Sequence, residues 1–295
     1  MASTDAALAQ GLRLESLHGR DVDGAQALVA ESGWNQVGAD WQLFVDLGAA
    51  FKVTDETGAV IATVATLPYA GFGWVSMVLV ARSHRRQGIA TALLEHGITL
   101  LRGQGLIPVL DATPAGRTVY QPLGFRDGWS LTRWHRGAHA VPWPAHGAAI
   151  VRPLREDDWP QVLALDLQAF GADRAEVLRL LAARSRGFAC VRESAGRVEG
   201  FLLGRDGRLA TQVGPVVVTA PGNGAEQAAS LLAHAHARIE GPVLIDVLDA
   251  HAALRPQLTA AGFEVERGYT RMALHDSAGF GDTHRMVAIA GPELG

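Results

Sequence analysis

The feature that most constrains this 295-residue chain is an internal repeat. Gly124-Phe125 is followed by Thr132-Arg133, and 138 residues later Gly262-Phe263 is followed by Thr270-Arg271. In both places the threonine comes seven positions after the phenylalanine. Because a near-constant offset is typical of duplicated units, the sequence predicts two copies of one fold in tandem. The chain length fits two domains of ordinary size.

A proline-rich segment near the middle of the chain predicts the boundary between the two copies. His139–Gly147 contains Pro142 and Pro144, which are unfavourable in both helices and central strands. Trp143, between the two prolines, is expected to anchor this linker to one of the domains. The predicted division is a first domain over residues 1–138, a linker over residues 139–149 and a second domain over residues 150–295.

Hydrophobic periodicity changes between helical and strand patterns along both halves, which predicts a mixed α/β fold with a central sheet and helices on its faces. The predicted helices are Asp21–Ser32, Asp40–Leu47, Thr91–Gly103, Ala115–Leu123, Asp158–Ala169, Arg174–Ala183 and Ala225–Ile239. The predicted strands are Leu12–Leu17, Ala50–Thr54, Val60–Leu67, Trp74–Val80, Ile107–Asp111, Phe125–Trp134, Phe188–Arg192, Val198–Gly204, Val213–Val218 and Val243–Val247.

Composition excludes several classes of protein. The chain is 48% apolar and 19% charged, which is enough apolar sequence for sizeable cores. Its net charge of −4 argues against a general binder of nucleic acid or of anionic membranes. Cys190 is the only cysteine, so neither an intramolecular disulfide nor a cysteine-rich zinc site is expected. We expect a cytoplasmic protein with no metal site and no membrane span, since neither a long apolar run nor a secretion signal is evident.

A basic loop between a predicted strand and a predicted helix is the segment that most clearly indicates a binding site. The strand ending at Val80 runs into a loop with Arg82, Arg85, Arg86 and Gly88, and this loop opens the helix predicted over Thr91–Gly103. Backbone N–H groups in the first turn of a helix lack partners, and the helix dipole favours anions there. The loop therefore predicts a pyrophosphate or phosphorylated-ribose site. The Gly-x-x-x-x-Gly-Lys-[Ser/Thr] motif of nucleotide phosphate loops is absent.

The spacing Arg85-x-x-Gly88-x-Ala90 resembles the pyrophosphate-loop pattern of the GNAT superfamily of N-acetyltransferases. Downstream, Tyr120-x-x-Leu123-Gly124-Phe125 is similar to the family's strand–helix–strand tail. This segment departs from the family at Thr113, where asparagine is common, and at Gly116, where alanine is common. A second match to the loop pattern, Arg184-x-x-Gly187-x-Ala189, leaves a helix and enters a strand, so we do not expect it to bind an anion.

The resemblance implies two tandem GNAT-like domains, each with a mostly antiparallel central sheet flanked by helices. It also implies an acetyl-coenzyme A-dependent N-acetyltransferase that acts on a primary amine of a small molecule or peptide by direct attack in a ternary complex. In that scheme Tyr120 is the general acid for the departing thiolate, and the strand at Met77–Val80 splays from its neighbour at Ile107–Asp111. Asp111 is a possible general base, directly or through water. The implied donor-binding residues are Val78, Leu79, Val80, Arg85, Arg86, Gln87, Gly88, Ile89, Ala90 and Thr91.

The loop between the first two helices is the expected acceptor site, with Trp34, Asn35 and Gln36 as its candidate residues. In the second half, Glu226 aligns with Gly88 and Leu258 with Tyr120, which predicts a degenerate domain. The Gly222-Asn223-Gly224 turn leaves open donor binding by backbone groups alone. The alternative function is a non-catalytic coenzyme A-binding sensor or interaction protein. The sequence does not determine the amine acceptor or the oligomeric state.

Overall fold

The computed structural model describes residues 8–138, 141–144, 150–219, 224–276 and 279–295. They form two compact units, one of Met1–Leu110 with Gly207–Leu209 and one of Asp111–Asp206 with Ala210–Gly295. Within the predicted linker, residues 141–144 are described and have neither helix nor strand. The rest of the linker, and Gly222 and Asn223 of the predicted turn, lie outside the described residues. The predicted domain boundaries stay a prediction.

In the first unit, strands lie in the order β1-β2-β3-β4-β5, and every neighbouring pair is antiparallel except β4 with β5, which is parallel. The strands are β1 (Arg13–Ser16), β2 (Ala49–Thr54), β3 (Val60–Pro68), β4 (Phe72–Val80) and β5 (Ile107–Ala112), of which the first four residues belong to this unit. The helices are α1 (Val22–Glu31), α2 (Gly38–Leu47) and α3 (Ile89–Gly103).

Helices α1 and α3 of the first unit cover opposite faces of its sheet. The ring of Phe51 on β2 contacts His96 of α3, with ring centroids 4.4 Å apart. The next residue, Lys52, donates from Nζ to Asp21 beside the start of α1, at 2.7 Å. Because successive side chains of a strand point to opposite faces, α1 lies on the face away from α3. Apolar residues at helical spacing place Leu93 and Leu101 of α3 in the core.

The second unit begins with α4 and has the strand order β12-β6-β11-β13-β10-β9-β8-β7. Its strands are β6 (Phe125–Arg136), β7 (Ile150–Pro153), β8 (Cys190–Ser194), β9 (Arg197–Arg205), β10 (Thr211–Val218), β11 (Val243–Leu248), β12 (Phe263–Leu274) and β13 (Met286–Ala288). Its helices are α4 (Pro114–Tyr120), α5 (Trp159–Phe170), α6 (Ala175–Arg184), α7 (Gly224–His236) and α8 (Arg255–Ala260).

The mostly antiparallel α/β fold expected from the resemblance is confirmed, and every helix and strand predicted from periodicity is present, with ends shifted by at most three residues. Trp143 packs its ring against His236 and Phe263, so the prediction that it anchors the linker is confirmed as well. The periodicity missed the short elements β7, α8 and β13, and the sequence analysis assigned no range to β12. Segments of three to six residues are too short to show a period.

Candidate active site

The parallel strands β4 and β5 separate after a short stretch of pairing. Their ladder pairs are Phe72↔Ile107, Gly73↔Pro108 and Trp74↔Val109. Beyond Trp74, the register of β4 against β3 shifts, and Met77 has a positive φ of 54°. Such a bulge bends a strand and increases its twist. Among the described residues, 75–80 have no ladder partner in β5. We call the gap between β4 and β5 the first wedge.

Val78, Leu79 and Val80, the strand residues implied to bind the donor, lie in this unpaired part of β4. Backbone N–H and C=O groups that face such a gap can pair with an extended amide-bearing molecule, as they would with another strand. One carbonyl already has a partner, because Arg85 donates from Nε to the oxygen of Val80 at 3.0 Å. That bond fixes the loop that follows β4 to the end of the strand.

The loop after β4 leads into an open helix N-terminus at the start of α3. Gly88, with φ of 77°, is the N-cap of α3, whose first turn contains no acidic residue. Within the described part of the chain, no backbone hydrogen bond uses the N–H groups of residues 86–91 as donors. A Cβ built on Gly88 would meet no heavy atom within 4 Å, so the backbone there is open to a ligand. Gln87, Ile89, Ala90 and Thr91 thus stand where a pyrophosphate would accept hydrogen bonds.

The three arginines of the loop have different environments. Arg82 is bound to the end of α1, where its backbone N–H and its Nη2 donate to the carboxylate and the carbonyl of Glu31, at 2.8 and 2.9 Å. Arg85 and Arg86 are exposed, and Arg86 has no hydrogen-bond or ion-pair partner among the described residues. Arg86 also has a positive φ of 62°, uncommon for a side-chain-bearing residue and frequent at binding sites. Arg85 and Arg86 therefore carry the available positive charge.

Tyr120 is the last residue of α4, in the second unit. Its half-buried ring contacts Phe125, with centroids 6.0 Å apart, and burial raises the pKa of its hydroxyl above the ordinary value of 10.0. The two departures from the family pattern have structural roles here. Thr113 caps α4, because its Oγ1 accepts from the N–H of Gly116 at 3.1 Å. A Cβ on Gly116 would lie 3.0 Å from Cε2 of Tyr120, so the glycine makes room for the ring.

Asp111 is not available as the general base that the sequence left possible. Its side chain is fully buried, and both carboxylate oxygens accept from Arg271, each at 2.9 Å. Burial raises the pKa of Asp111, and the ion pair with Arg271 opposes that rise. The expectation that Asp111 could act as the base was wrong because its partner, Arg271, lies 160 residues away in sequence. The residues near Asp111 give no indication of this ion pair.

The predicted acceptor loop is held by a short segment of chain from later in the sequence. Arg208 donates from its backbone N–H to the carbonyl of Asn35 at 2.7 Å and from Nε to the carbonyl of Trp34 at 2.9 Å. Oδ1 of Asn35 accepts from the N–H of Leu209 at 2.9 Å. The carbonyl of Gln36 accepts from Nε2 of Gln26 at 2.8 Å. Trp34 is partly exposed, whereas Asn35 and Gln36 are buried.

Sequence reasoning missed a set of buried polar atoms on the α1 side of the sheet. Val75 contacts α3, because a Cβ on Gly97 would lie 3.0 Å from it, and Ser76 therefore points to the α1 face. Within the described residues, buried polar atoms of this unit that have no hydrogen-bond partner include Oε1 of Gln26, Oε1 of Gln36, Nε1 of Trp41 and Oγ of Ser76. The sequence contains one indication of this set, because Ser76 is the only hydroxyl-bearing residue in the apolar strand β4.

Two further features are absent from the described residues. No group of three or more histidine, cysteine, aspartate or glutamate side chains is arranged to hold a metal ion. None of the described helices combines the length and the apolar character needed to cross a bilayer.

Comparison with known proteins gives consistent results for both halves of the chain. A model of the GNAT family of acetyltransferases matches residues 27–125, and a model of a GNAT acetyltransferase domain matches residues 162–286. YitH of Bacillus subtilis strain 168, an uncharacterized N-acetyltransferase, is 27% identical over 252 residues, which cover 85% of this chain and 87% of YitH.

Solved structures show the same fold. A proposed acetyltransferase from Pyrococcus horikoshii superposes with a TM-score of 0.79 at 16% identity, over 98% of this chain and 97% of that chain. A tandem GNAT protein from the clavulanic acid biosynthesis pathway superposes with a TM-score of 0.62 at 17% identity, over 92% of this chain and 100% of that chain. With two GNAT domains in succession, the chain belongs to the GNAT superfamily and is a tandem GNAT N-acetyltransferase.

Proposed function

We propose that the protein transfers an acetyl group from acetyl-coenzyme A to a primary amine of a small molecule or peptide, by direct attack in a ternary complex. The observation that carries the proposal is the continuity of the first wedge with the loop at the start of α3. Backbone groups for an extended amide chain and N–H groups for a pyrophosphate follow one another within residues 75–91. That order matches the chemistry of a donor with a diphosphate joined to a diamide arm.

The donor side of the site is assigned as follows. Arg85 and Arg86 supply charge, and the N–H groups of Gln87–Thr91 supply hydrogen bonds to the pyrophosphate. Backbone groups of Val78 and Leu79 pair with the arm. An N–H group of the same strand, aimed at the thioester oxygen, stabilises the charge that develops there during attack.

Tyr120 is assigned as the proton donor to the departing thiolate. Because burial raises the pKa of its hydroxyl, the side chain stays protonated through neutral and moderately alkaline pH. A proton donor of this kind contributes by transferring its proton as the carbon–sulfur bond breaks, which is the general-acid role.

The acceptor is assigned to the α1 side of the sheet. Oδ1 of Asn35 already accepts a hydrogen bond from Leu209, so its role is to shape the loop. Oε1 of Gln36 and Oγ of Ser76, buried polar atoms without a hydrogen-bond partner among the described residues, are assigned to contact the acceptor together with the ring of Trp34. β4 carries no carboxylate and no histidine, and Asp111 is engaged, so we propose that the amine loses its proton to water.

The proposal is tested with calorimetric titration of acetyl-coenzyme A into the full chain, followed by a screen of amines that measures both thiol release and the mass of the acetylated product. Donor binding together with transfer to an amine supports the proposal. Donor binding without transfer to any amine favours the alternative, a non-catalytic coenzyme A-binding sensor. Absence of donor binding contradicts both. The cytoplasmic location expected from the sequence stays a prediction.

A further inference from the structure

The second unit contains a wedge built like the first, and its own C-terminal chain fills it. β10 and β11 are parallel and pair at Thr211↔Val243, Gln212↔Leu244 and Val213↔Ile245. Beyond Val213 the register of β10 against β9 shifts, as the register of β4 does against β3. We call the gap between β10 and β11 beyond Val213 the second wedge. Two parallel strands thus pair at three positions and then separate in both units.

β13 lies between the two separated strands. It pairs antiparallel with β10 at Val216↔Ala288 and Val217↔Met286, and with β11 at Val247↔Ala288. The N–H of Ile289, just beyond β13, donates to the carbonyl of Asp246 at 3.1 Å. Backbone groups of β10 and β11 that would otherwise face an unpaired gap are therefore satisfied by residues 285–290.

The fit of this segment is close. Met286, Ala288 and Ile289 are fully buried. Gly214, with a positive φ of 139°, sits where a Cβ would overlap the carbonyl oxygen of Ile289, so only glycine allows the chain to approach β10. His251 also holds the segment, because its Nε2 lies within hydrogen-bond distance of the carbonyls of Thr283 and Met286, at 2.9 and 3.0 Å.

The first turn of α7, which follows β10, contains an acidic residue, whereas the first turn of α3 contains none. Glu226 lies in the first turn of α7, and its carboxylate is 4.0 Å from Nη2 of Arg192. Nε2 of Gln227 donates to Oγ1 of Thr219 at 3.5 Å. A carboxylate in the first turn competes with any bound anion for the helix N-terminus.

We propose that residues 285–290 are a built-in strand ligand of the second wedge, which is a site for an extended amide-bearing chain and is occupied by the protein itself. Each chain then has one acyl-donor site, in the first wedge. The part of this inference that concerns the donor rests on the proposed function. The part that concerns the strand does not.

Hydrogen–deuterium exchange on the full-length protein tests both parts. Without donor, we expect residues 285–290 to be protected together with 213–218 and 243–248, since they share a ladder. Exchange of 285–290 as fast as an unpaired chain, with the two flanking strands protected, would overturn the inference. Added acetyl-coenzyme A should slow exchange at 75–91 and leave the second wedge unchanged.

Slower exchange at 211–218 or 243–248 on addition of acetyl-coenzyme A would overturn the claim of a single donor site. No change anywhere would contradict the proposed function, while agreeing with a closed second wedge. The two failures are therefore distinguishable.

The variant Gly214→Ala supplies an independent measurement. Its Cβ must displace Ile289, so exchange of 285–290 should accelerate by about tenfold or more relative to the wild type. Gly187→Ala is the matched control, because Gly187 also has a positive φ but a Cβ there meets nothing within 4 Å. Equal exchange of 285–290 in the two variants would contradict the fit described here. If Gly214→Ala does not fold, the wild-type exchange pattern still decides the inference.

Discussion

The two wedges show how one backbone design acquires different roles. In each unit a parallel pair of strands separates after three ladder pairs, next to a register shift. The first wedge has no strand between β4 and β5 among the described residues, and a helix whose first turn contains no acidic residue follows it. The second wedge contains β13, and an acidic residue follows it. What a wedge binds is thus decided by the chain that enters it and by the helix N-terminus beyond it.

A similar contrast appears in the short helix that precedes the last long strand of each half. This helix is α4 before β6 in the first half and α8 before β12 in the second. α4 ends with Tyr120, whose half-buried ring carries a hydroxyl group, whereas the matching position in α8 is Leu258, which is fully buried. A side chain that can donate a proton has been replaced by one that only packs. The comparison therefore predicts a functional effect at one position and a structural effect at the other.

The largest expected effect is on turnover. Tyr120→Phe removes the proton donor, so we expect kcat to fall by roughly a hundredfold to a thousandfold while the Kd for acetyl-coenzyme A is unchanged. Thiol release under saturating acceptor measures the first quantity and calorimetry the second. Tyr69→Phe, which removes a hydroxyl elsewhere in the chain, is the control. Retention of full turnover in Tyr120→Phe would show that the thiolate leaves without this acid.

Leu258→Ala is the reciprocal experiment. Because the side chain is fully buried, its truncation should lower the free energy of unfolding by about 2–5 kcal/mol. The kcat per folded molecule should stay near that of the wild type. A loss of kcat without a loss of stability, measured by urea unfolding alongside the assay, would contradict the division of roles between the two halves.

The next effect in size is expected on the affinity for the donor, acetyl-coenzyme A. Arg85→Ala combined with Arg86→Ala should weaken binding of acetyl-coenzyme A by about thirtyfold, or ~2 kcal/mol, since two charged donors to the pyrophosphate are lost. Arg82→Ala is the matched control in the same loop, and its effect should be smaller because Arg82 is bound to Glu31. Glu226→Ala should leave the stoichiometry at one donor per chain. An equal loss of affinity in Arg82→Ala would show that the loop's conformation, not the two exposed charges, determines binding.

A smaller effect should separate the acceptor from the donor. Ser76→Ala removes a buried hydroxyl with no partner among the described residues, so it should lower kcat/KM for the acceptor by about fivefold, one neutral hydrogen bond. The Kd for acetyl-coenzyme A should not change. Ser16→Ala, at an exposed strand position of the same unit, is the control. Unchanged kcat/KM in Ser76→Ala would remove this residue from the acceptor site.

Features whose residues lie close together in the sequence could be predicted from it, whereas contacts between residues far apart in the sequence could not. The strand–loop–helix passage from β4 to α3 was predictable, because a hydrophobic run, a basic cluster and Gly88 are contiguous. The bond between Asn35 and Leu209 joins residues 174 positions apart, and that between Asp111 and Arg271 spans 160. Such pairs follow from the folded topology and leave no local pattern.

β13 was unpredictable for a second reason. Met286–Ala288 is a three-residue strand, too short for alternation to be visible, and it pairs with strands that precede it by tens of residues. The degenerate character predicted for the second half rested on Glu226 and Leu258, which align with Gly88 and Tyr120. The strand that fills the second wedge, β13, is a separate feature of the second half. It is recognised only from the pairing register of β10 and β11.

The prediction with the smallest expected effect concerns how stably β13 is bound between β10 and β11. Burial lowers the pKa of His251 below its ordinary value of 6.5; the hydrogen bonds to Thr283 and Met286 oppose this lowering in part, and the charge of His284 adds to it. The folded state therefore binds fewer protons than the unfolded state, so stability from this group is present above pH 6.5 and is lost as the pH falls below it. Protonation therefore disfavours burial of the ring, although the hydrogen bonds to the carbonyls of Thr283 and Met286 offset part of this effect.

Acidification slows intrinsic amide exchange, so the measured quantity is the protection factor, the ratio of intrinsic to observed exchange rate. The protection factor of residues 285–290 should fall between pH 7.5 and 5.5, and the free energy of unfolding from urea titration should fall by less than about 1 kcal/mol, since the ring is only partly buried. His251→Gln keeps a donor for the two carbonyls but does not titrate, so its pH dependence should be weaker. His234 and His236, whose pKa values burial also lowers, remain in both proteins and supply the common background. Identical pH dependence in His251→Gln and the wild type would assign the acid sensitivity to those two histidines and leave β13 held by its ladder alone.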